Sequence, residues 1–570
     1  MGQVDNLPPI ANRRTLRVSN PQQVSNLPHS VILAIHMRRI FVVILLFSAP
    51  SFTQEKSDSI TQLASDFWTW RAVYRPFTFD DVPRLEHAGG IRDWSEAAIA
   101  KQRVDLSGFE HRWEAMHPIA RTIDVHLSRK IDYRLIGSAL ARVRWELDVN
   151  PRWQRDPTFY IEQTVGALEE EVLPPPPFSE DRSRELVMRA ENIPSILEQA
   201  KSNLQAVKPF AQLAIDSLSD IDARFTRVEA GVSPLLAGGE RARFHAAMAK
   251  ASTALVEYRE WLKLNLSRMK PDFALGEKAY GFFLHRVALL PYTPQQLLAM
   301  ARQDFDRVLA MESYEHQRDL NAPALKMAAT AQEEVARMEH DDASIRRYLV
   351  DHQVLTVPPD LPHWTLRLAP DYVAAFDGFG ELDDFTGPSR LNQDGTRWIQ
   401  PPSPDLPYFH KAYANDTRTT GVHEGVPGHF FQLSLAWRNP DPIRRQYYDS
   451  GVNEGIGFYA EEMMLQAGLY DDSPRTREII YNFARLRALR VEADVKLALG
   501  EFSIDQAADY LARTVPMDRK TAESEAADFS TAPGLAIAYE IGKLQIEGML
   551  AKRRLQQGEK FNLREFHDYV

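Results

Sequence analysis

The chain has 570 residues, 44% of them apolar and 25% charged, and a net charge of −11. This is ordinary for a soluble globular protein and too long for one small core, so two lobes or one large helical body are expected. The acidic balance, with no basic stripe, argues against a nucleic-acid partner, and the lack of cysteine excludes disulfides, thiolate metal ligands, a cysteine nucleophile and a lipid-modified cysteine.

Residues 1–36 are polar and irregular and read as an upstream segment outside the fold. Met37-Arg38-Arg39, the apolar run Ile40 to Phe47 and the small residues around Ser51 to Thr53 read as a signal peptide over 37–53. Met37 is then the expected start, and the mature chain begins near Gln54. The run is shorter than the roughly 20 residues that span a bilayer. The expectation is an exported protein, periplasmic or extracellular, with no stable membrane insertion after cleavage. The alternative is a membrane anchor formed by residues 40–47.

Residues 54–290 read as an N-terminal helical region and 291–570 as a catalytic helical region. From Ser57 to about Val350, apolar residues recur at three- and four-residue spacing. Arg184 to Ala230 is one such stretch, with Pro194 and Pro209 as helix starts or kinks; Glu240 to Leu264 is another. Pro174 to Pro177 marks a surface connection. Thr293-Pro294-Gln295-Gln296 opens a capped helix. Residues 353–416 are dense in Gly, Pro, Asp and aromatics, and Trp364 to Leu368 suits a strand. Helices resume at Thr419, with a stop at Gly500 and a capped restart at Ser503 to Gln506. The expected fold is mainly α, a large helical body with a deep cleft and a small β-containing insertion at 353–416.

Four pieces carry chemistry. His423-Glu424-Gly425-Val426-Pro427-Gly428-His429 begins a helix-compatible stretch ending near Trp437. In the common zinc-peptidase arrangement two His four apart on a helix hold the metal, and the Glu beside the first takes a proton from the activated water. Here the second His is six residues on, which on an ideal helix sets the imidazoles roughly 120° apart. Pro427 and Gly428 favour a distorted turn that could swing His429 back. Glu454, 30 residues after Glu424, is the candidate third ligand. Glu461 shares its helix face, and Gly455 and Gly457 suit a close approach by another backbone or a substrate. Arg487 and Arg490, with Asp494 four after Arg490, form either an ion pair on a helix surface or a carboxylate-binding group. Tyr539 and Lys543 share a helix face, and either could reach the oxyanion of a tetrahedral intermediate. His285, His363 and His410 are read as structural, with His410 the nearest to the motif.

These pieces, in this order, resemble the DUF885 family of predicted bacterial zinc peptidases. The family pattern appears as His423 to His429 with Gln432, Glu454-Gly455 with Tyr459 and Glu461, Arg487 to Asp494, and Tyr539 to Lys543; Leu275 to Tyr280 also fits. The likeness runs from about residue 58 to the end. It implies a mostly helical fold and a His, His, Glu metal site, similar in logic to the helical zinc carboxypeptidases and oligopeptidases. Two departures stand out: Ile456 where the family usually has Trp, and Ala498 where a His often follows.

The expected activity is therefore a zinc-dependent, carboxypeptidase-like metallopeptidase that cleaves short peptides. His423, His429 and Glu454 would hold one Zn²⁺, Glu424 would act as general base and Tyr539 as oxyanion donor. Glu461, Tyr459, Arg487, Arg490, Lys543 and Gln432 would bind substrate or support the site. The substrate is a peptide or small amide. The alternatives are a metal-dependent amidase or esterase on a non-peptide substrate, and a non-catalytic exported peptide-binding protein.

Overall fold

The three- and four-residue spacing is realised as helix along most of the chain. The computed structural model describes residues 52–78, 86–116 and 127–570; the upstream segment and the Ile40 to Phe47 run lie outside the described residues. Gln54, the expected mature start, falls in the first described helix, α1 (Phe52–Tyr74). Residues 53–570 form one compact unit.

In the first half, α1, α2 (Glu96–Ala115), α3 (Leu127–Arg144), α4 (Glu180–Asn203) and α5 (Arg241–Asn265) enclose a core that includes Phe67, Leu140, Tyr160, Ile193 and Phe244. Pro194 lies inside α4 and does not start a helix, whereas Pro209 sits in the first turn of Lys208–Ser217. Pro174 to Pro177 join the short helix Ala167–Val172 to α4.

The second half opens with α6 (Pro294–Arg318), whose start carries the expected reciprocal cap between Thr293 and Gln296, followed by α7 (Ala331–Asp351). The insertion holds three strands, β1 (Trp364–Leu368), β2 (Asp383–Asp384) and β3 (Gly395–Ile399), in the order β1-β3-β2. β1 runs parallel to β3 with Trp364 opposite Gly395, and β2 runs antiparallel to β3 with Asp383 opposite Arg397. Helices α8 (Tyr408–Asn415), α9 (His429–Trp437), α10 (Ser450–Ala467), α11 (Pro474–Leu499), α12 (Ile504–Thr514), α13 (Arg519–Thr531) and α14 (Ala536–Gln557) follow. Gly500, with φ 76°, ends α11, and Ser503 caps α12 with Gln506.

The contact between α10 and α14 decides where the site residues sit. A Cβ on Gly542 would stand 2.1 Å from the Gly451 carbonyl oxygen, and one on Gly455 would stand 2.7 Å from Gly542 Cα. Glycine at these places lets the two backbones touch. Beside this contact, Lys543 is 0% exposed and donates to Asp304 on α6 and Glu462 on α10, at 2.8 and 2.9 Å. No described helix is long and apolar enough to cross a membrane.

Candidate metal centre

The His-Glu motif does not form one continuous helix to Trp437. Gly421–Gly425 is a wide π-turn, the chain leaves helical geometry at Val426, and α9 begins at His429. Gly428 makes the reversal possible: a Cβ there would lie 1.8 Å from the His423 carbonyl oxygen, a space only glycine can occupy. The break restarts the helix with His429 turned toward His423. Their rings meet edge to face with centroids 4.7 Å apart. The 120° separation expected from an ideal helix is thereby removed.

Glu454 reaches the same point from α10. Its Oε2 lies 3.2 Å from His429 Nε2 and 3.9 Å from His423 Nε2. One turn further, a Cβ on Gly457 would stand 2.7 Å from His429 Cε1 and 3.0 Å from His423 Cε1, so the absent side chain gives the rings their room. Another turn on, Glu461 Oε1 is 2.6 Å from His423 Nδ1. Glu454, Gly457 and Glu461 thus form one stripe along α10, in which Glu454 joins the two histidines, Gly457 makes room for their rings and Glu461 stands behind His423.

The three ligand atoms of His423, His429 and Glu454 lie within 4.8 Å of one another, and all three residues are buried. Tetrahedral zinc with ligands at about 2.0–2.2 Å separates neighbouring donor atoms by about 3.3–3.6 Å. The observed 3.2 and 3.9 Å bracket that range. Two neutral imidazoles and one carboxylate also form a donor set typical of catalytic zinc, so the residues present fit such an ion.

Glu424 points at the cluster from the π-turn, with Oε2 3.9 Å from His429 Nε2. Its Oε1 lies 3.4 Å from Nη1 of Arg397, a strand β3 residue that also holds Asp383 at 2.8 Å and stacks on the Tyr413 ring. Burial works against the Arg397 charge, but Asp383, Glu424 and Glu381 outweigh it and keep the group cationic. Arg397 belongs to none of the sequence motifs. It lies 26 residues before His423 in a segment without helical periodicity, and Arg in an irregular stretch carries no signal by itself.

Arg487 and Arg490 of α11 are buried and do not form a surface ion pair. Arg487, 2% exposed, donates to Glu461 at 2.8 Å among the rings of Phe409, Phe458, Phe483 and Tyr539. Arg490 pairs with Glu525 at 2.7 Å, and its guanidinium stands 4.5 Å from the centroid of Tyr539. The Arg490 and Asp494 pairing considered from the sequence is absent. Asp494 instead accepts from the backbone N–H groups of Gly534 and Ala536 and from the Tyr280 hydroxyl, and burial raises its pKa to about 7.

Tyr539 lies against the centre, its ring near-parallel to that of His423 with centroids 6.4 Å apart. Lys543 is not brought there, since its ammonium is committed to Asp304 and Glu462. Gln432 accepts from Asn453, the residue before Glu454. Tyr459 bonds to His567 and stays away from the cluster. His285 bonds to the Leu290 carbonyl and His363 to Asp342; His410 faces Arg397 and Glu381. A cavity of about 980 Å³ opens between α6, α8 and α11. None of His423, His429 and Glu454 lines it; Phe483 does, and contacts lead from it through Arg487 and Glu461 to His423.

Residues 82–570 match the family model described as "Bacterial protein of unknown function (DUF885)". Two solved structures share the fold. One is titled "The structure of a putative lipoprotein of unknown function from Shewanella oneidensis", with 19% identity, a TM-score of 0.65, and 91% of this chain and 96% of that one covered. The other is titled "The crystal structure of the putative lipoprotein from Colwellia psychrerythraea", with 15% identity, a TM-score of 0.70, and coverage of 90% and 95%. No curated protein matches the chain.

Proposed function

We propose that this chain, which belongs to the DUF885 family, is a zinc-dependent hydrolase of the metallopeptidase type acting on short peptides. The observation that carries the reading is the convergence of His423 Nε2, His429 Nε2 and Glu454 Oε2 in a buried cluster with Glu424 at its edge. Those three atoms would hold the ion. Zinc in such a site lowers the pKa of water toward about 7 and polarises a carbonyl.

The chain's own groups do the rest. Glu461 takes the Nδ1 proton side of His423 and leaves Nε2 for the metal, and Arg487 holds Glu461 in place. Glu424 takes a proton from the attacking water at its carboxylate and returns it to the leaving amine. Arg397, bound to Asp383 on β2, fixes the direction of that carboxylate. Tyr539 offers its hydroxyl to the developing oxyanion, and the Arg490 guanidinium steadies its ring. The burial of every ligand supports small substrates over folded proteins.

Export is part of the proposal. It is supported by the charged, apolar and small-residue order of residues 37–53 and by the lipoprotein titles of the two structural neighbours. The sequence offers no cysteine for lipid attachment.

Incubation of the purified protein with a mixed short-peptide library, read by mass spectrometry, tests the activity. Cleavage by the native protein and its loss in Glu424→Gln is the expected result; an uncleaved library, or equal cleavage by both proteins, would contradict it.

A further inference from the structure

One face of α7 carries Glu334, Met338, Asp341 and Ile345, three or four residues apart. This face grips the chain just before Glu424. Asp341 Oδ2 accepts from the Thr417 hydroxyl at 2.5 Å. Met338 and Ile345 press on Gly421, where a Cβ would stand 2.7 Å from Met338 Cε and 3.5 Å from Ile345 Cδ1. Glu334 begins the same stripe. Its Oε2 is buried and has no hydrogen-bond partner, and the same holds for Oγ1 of Thr420, the residue before the π-turn.

Glu334 and Thr420 line one small cavity, together with Arg397 and His410. Its volume is about 10 Å³, close to the least that holds one water molecule. Two unpartnered oxygens, with a guanidinium in the same wall, supply the polar groups that such a water needs. Burial pushes the Glu334 carboxyl up to about 7, against the opposing charges of Arg337 and Arg397. Protonated, the carboxyl donates to a bridging water; ionised, it accepts from one. The bridge therefore closes in either form. The cavity also joins the two groups that place the proposed general base. Thr420 leads directly into Gly421–Gly425, the turn that carries Glu424, and Arg397 Nη1 lies 3.4 Å from Glu424 Oε1.

We propose that Glu334 is a positioning residue for Glu424: with Thr420 it binds one water molecule in this cavity, and the bridge holds the Arg397 guanidinium against the start of the π-turn. The proposal rests on the hydrolase reading for what Glu424 does, and on the cavity alone for the bridge. Glu334 acts on Glu424 through Arg397 and through the backbone at Thr420.

Crystal structures of the full chain, native and with Glu334→Leu, at a resolution that shows single waters, test this together with steady-state kinetics on a peptide the native protein cleaves. Leucine is close to glutamate in size and has no polar side-chain atom, so the variant removes the bridge without opening a large hole. The native structure is expected to hold a water within hydrogen-bond reach of Glu334 Oε2 and Thr420 Oγ1. In Glu334→Leu, that water and the 3.4 Å contact between Arg397 and Glu424 are expected to be lost. The value of kcat is expected to fall about 10–100-fold, with KM and zinc content as in the native protein. Glu334→Gln, whose amide can still hold the water, is expected to recover most of kcat. Thr420→Val removes the other end of the bridge and carries the same expectation if Glu334→Leu does not fold. A dry cavity in the native protein, an Arg397–Glu424 contact that neither Glu334→Leu nor Thr420→Val moves, or a loss of kcat that Glu334→Gln does not recover would overturn the proposal. The crystal structures are read whether or not peptides are cleaved. A native protein that cleaves nothing but shows the water and the moved contact removes the hydrolase and leaves the bridge standing; an active protein with a dry cavity does the reverse.

Discussion

Oε1 of Glu461 stands 2.6 Å from Nδ1 of His423, and Nη2 of Arg487 donates to that same oxygen at 2.8 Å. The pair determines which imidazole nitrogen faces Glu454 and His429. The orientation of His423 is thus set from α10, the helix that also supplies Glu454 to the cluster.

Glu461→Gln is expected to weaken zinc binding by about 10–100-fold while the protein remains folded. Competition with a chelator of known affinity measures the change. Unaltered affinity would mean that His423 is oriented by packing alone.

Gly457→Ala places a methyl group 2.7 Å from His429 Cε1 and 3.0 Å from His423 Cε1. Both rings are buried and have little room to retreat. Overpacking of this kind costs about 1–3 kcal/mol. Metal affinity is expected to fall accordingly, with the metal-free protein losing less of its melting temperature than the zinc-loaded one.

Lys543→Met removes a fully buried ammonium and leaves Asp304 and Glu462 to Arg307 alone. Breaking a buried charge pair costs about 3–5 kcal/mol. Arg307 also holds both acids, which places the expected loss at the lower end. Urea unfolding reads it directly.

Burial, then Glu381 and Asp377, hold the Glu169 pKa well above its ordinary 4.5. The folded state therefore keeps a proton that the unfolded chain gives up. That proton favours folding below pH 4.5, and the benefit is lost as pH rises toward the folded value. Glu169→Gln lacks this loss, so it is expected to gain stability over the native protein as pH rises from 5 to 8. Melting temperatures at the two pH values test the sign, and a constant difference would contradict it.

Much of this was legible in the chain itself, for identifiable reasons. The caps at Thr293 and Ser503 and the stop at Gly500 depend on local chemistry, and they appear where that chemistry predicts. The helical body and the strand at Trp364 follow from periodicity and composition. The approach of Glu454 to the two histidines was legible because a carboxylate one helix beyond such a pair is the usual third donor for a metal. The return of His429 was legible only in part. Pro427 and Gly428 announced a break, but its direction depends on the π-turn and on the backbone reversal at Gly428. Gly457 had a signal, a poor helix former inside a helix, though not the identity of what it accommodates. Arg397 and Asp304 had none. Each reaches its partner through tertiary packing, and Asp304 lies 239 residues from Lys543.

The zinc content of the purified full chain tests the central claim most directly. The expected content is about one zinc per chain, kept in Glu424→Gln and lost in His423→Ala and in His429→Ala. A native protein without zinc, or a zinc content that neither histidine substitution alters, would contradict it.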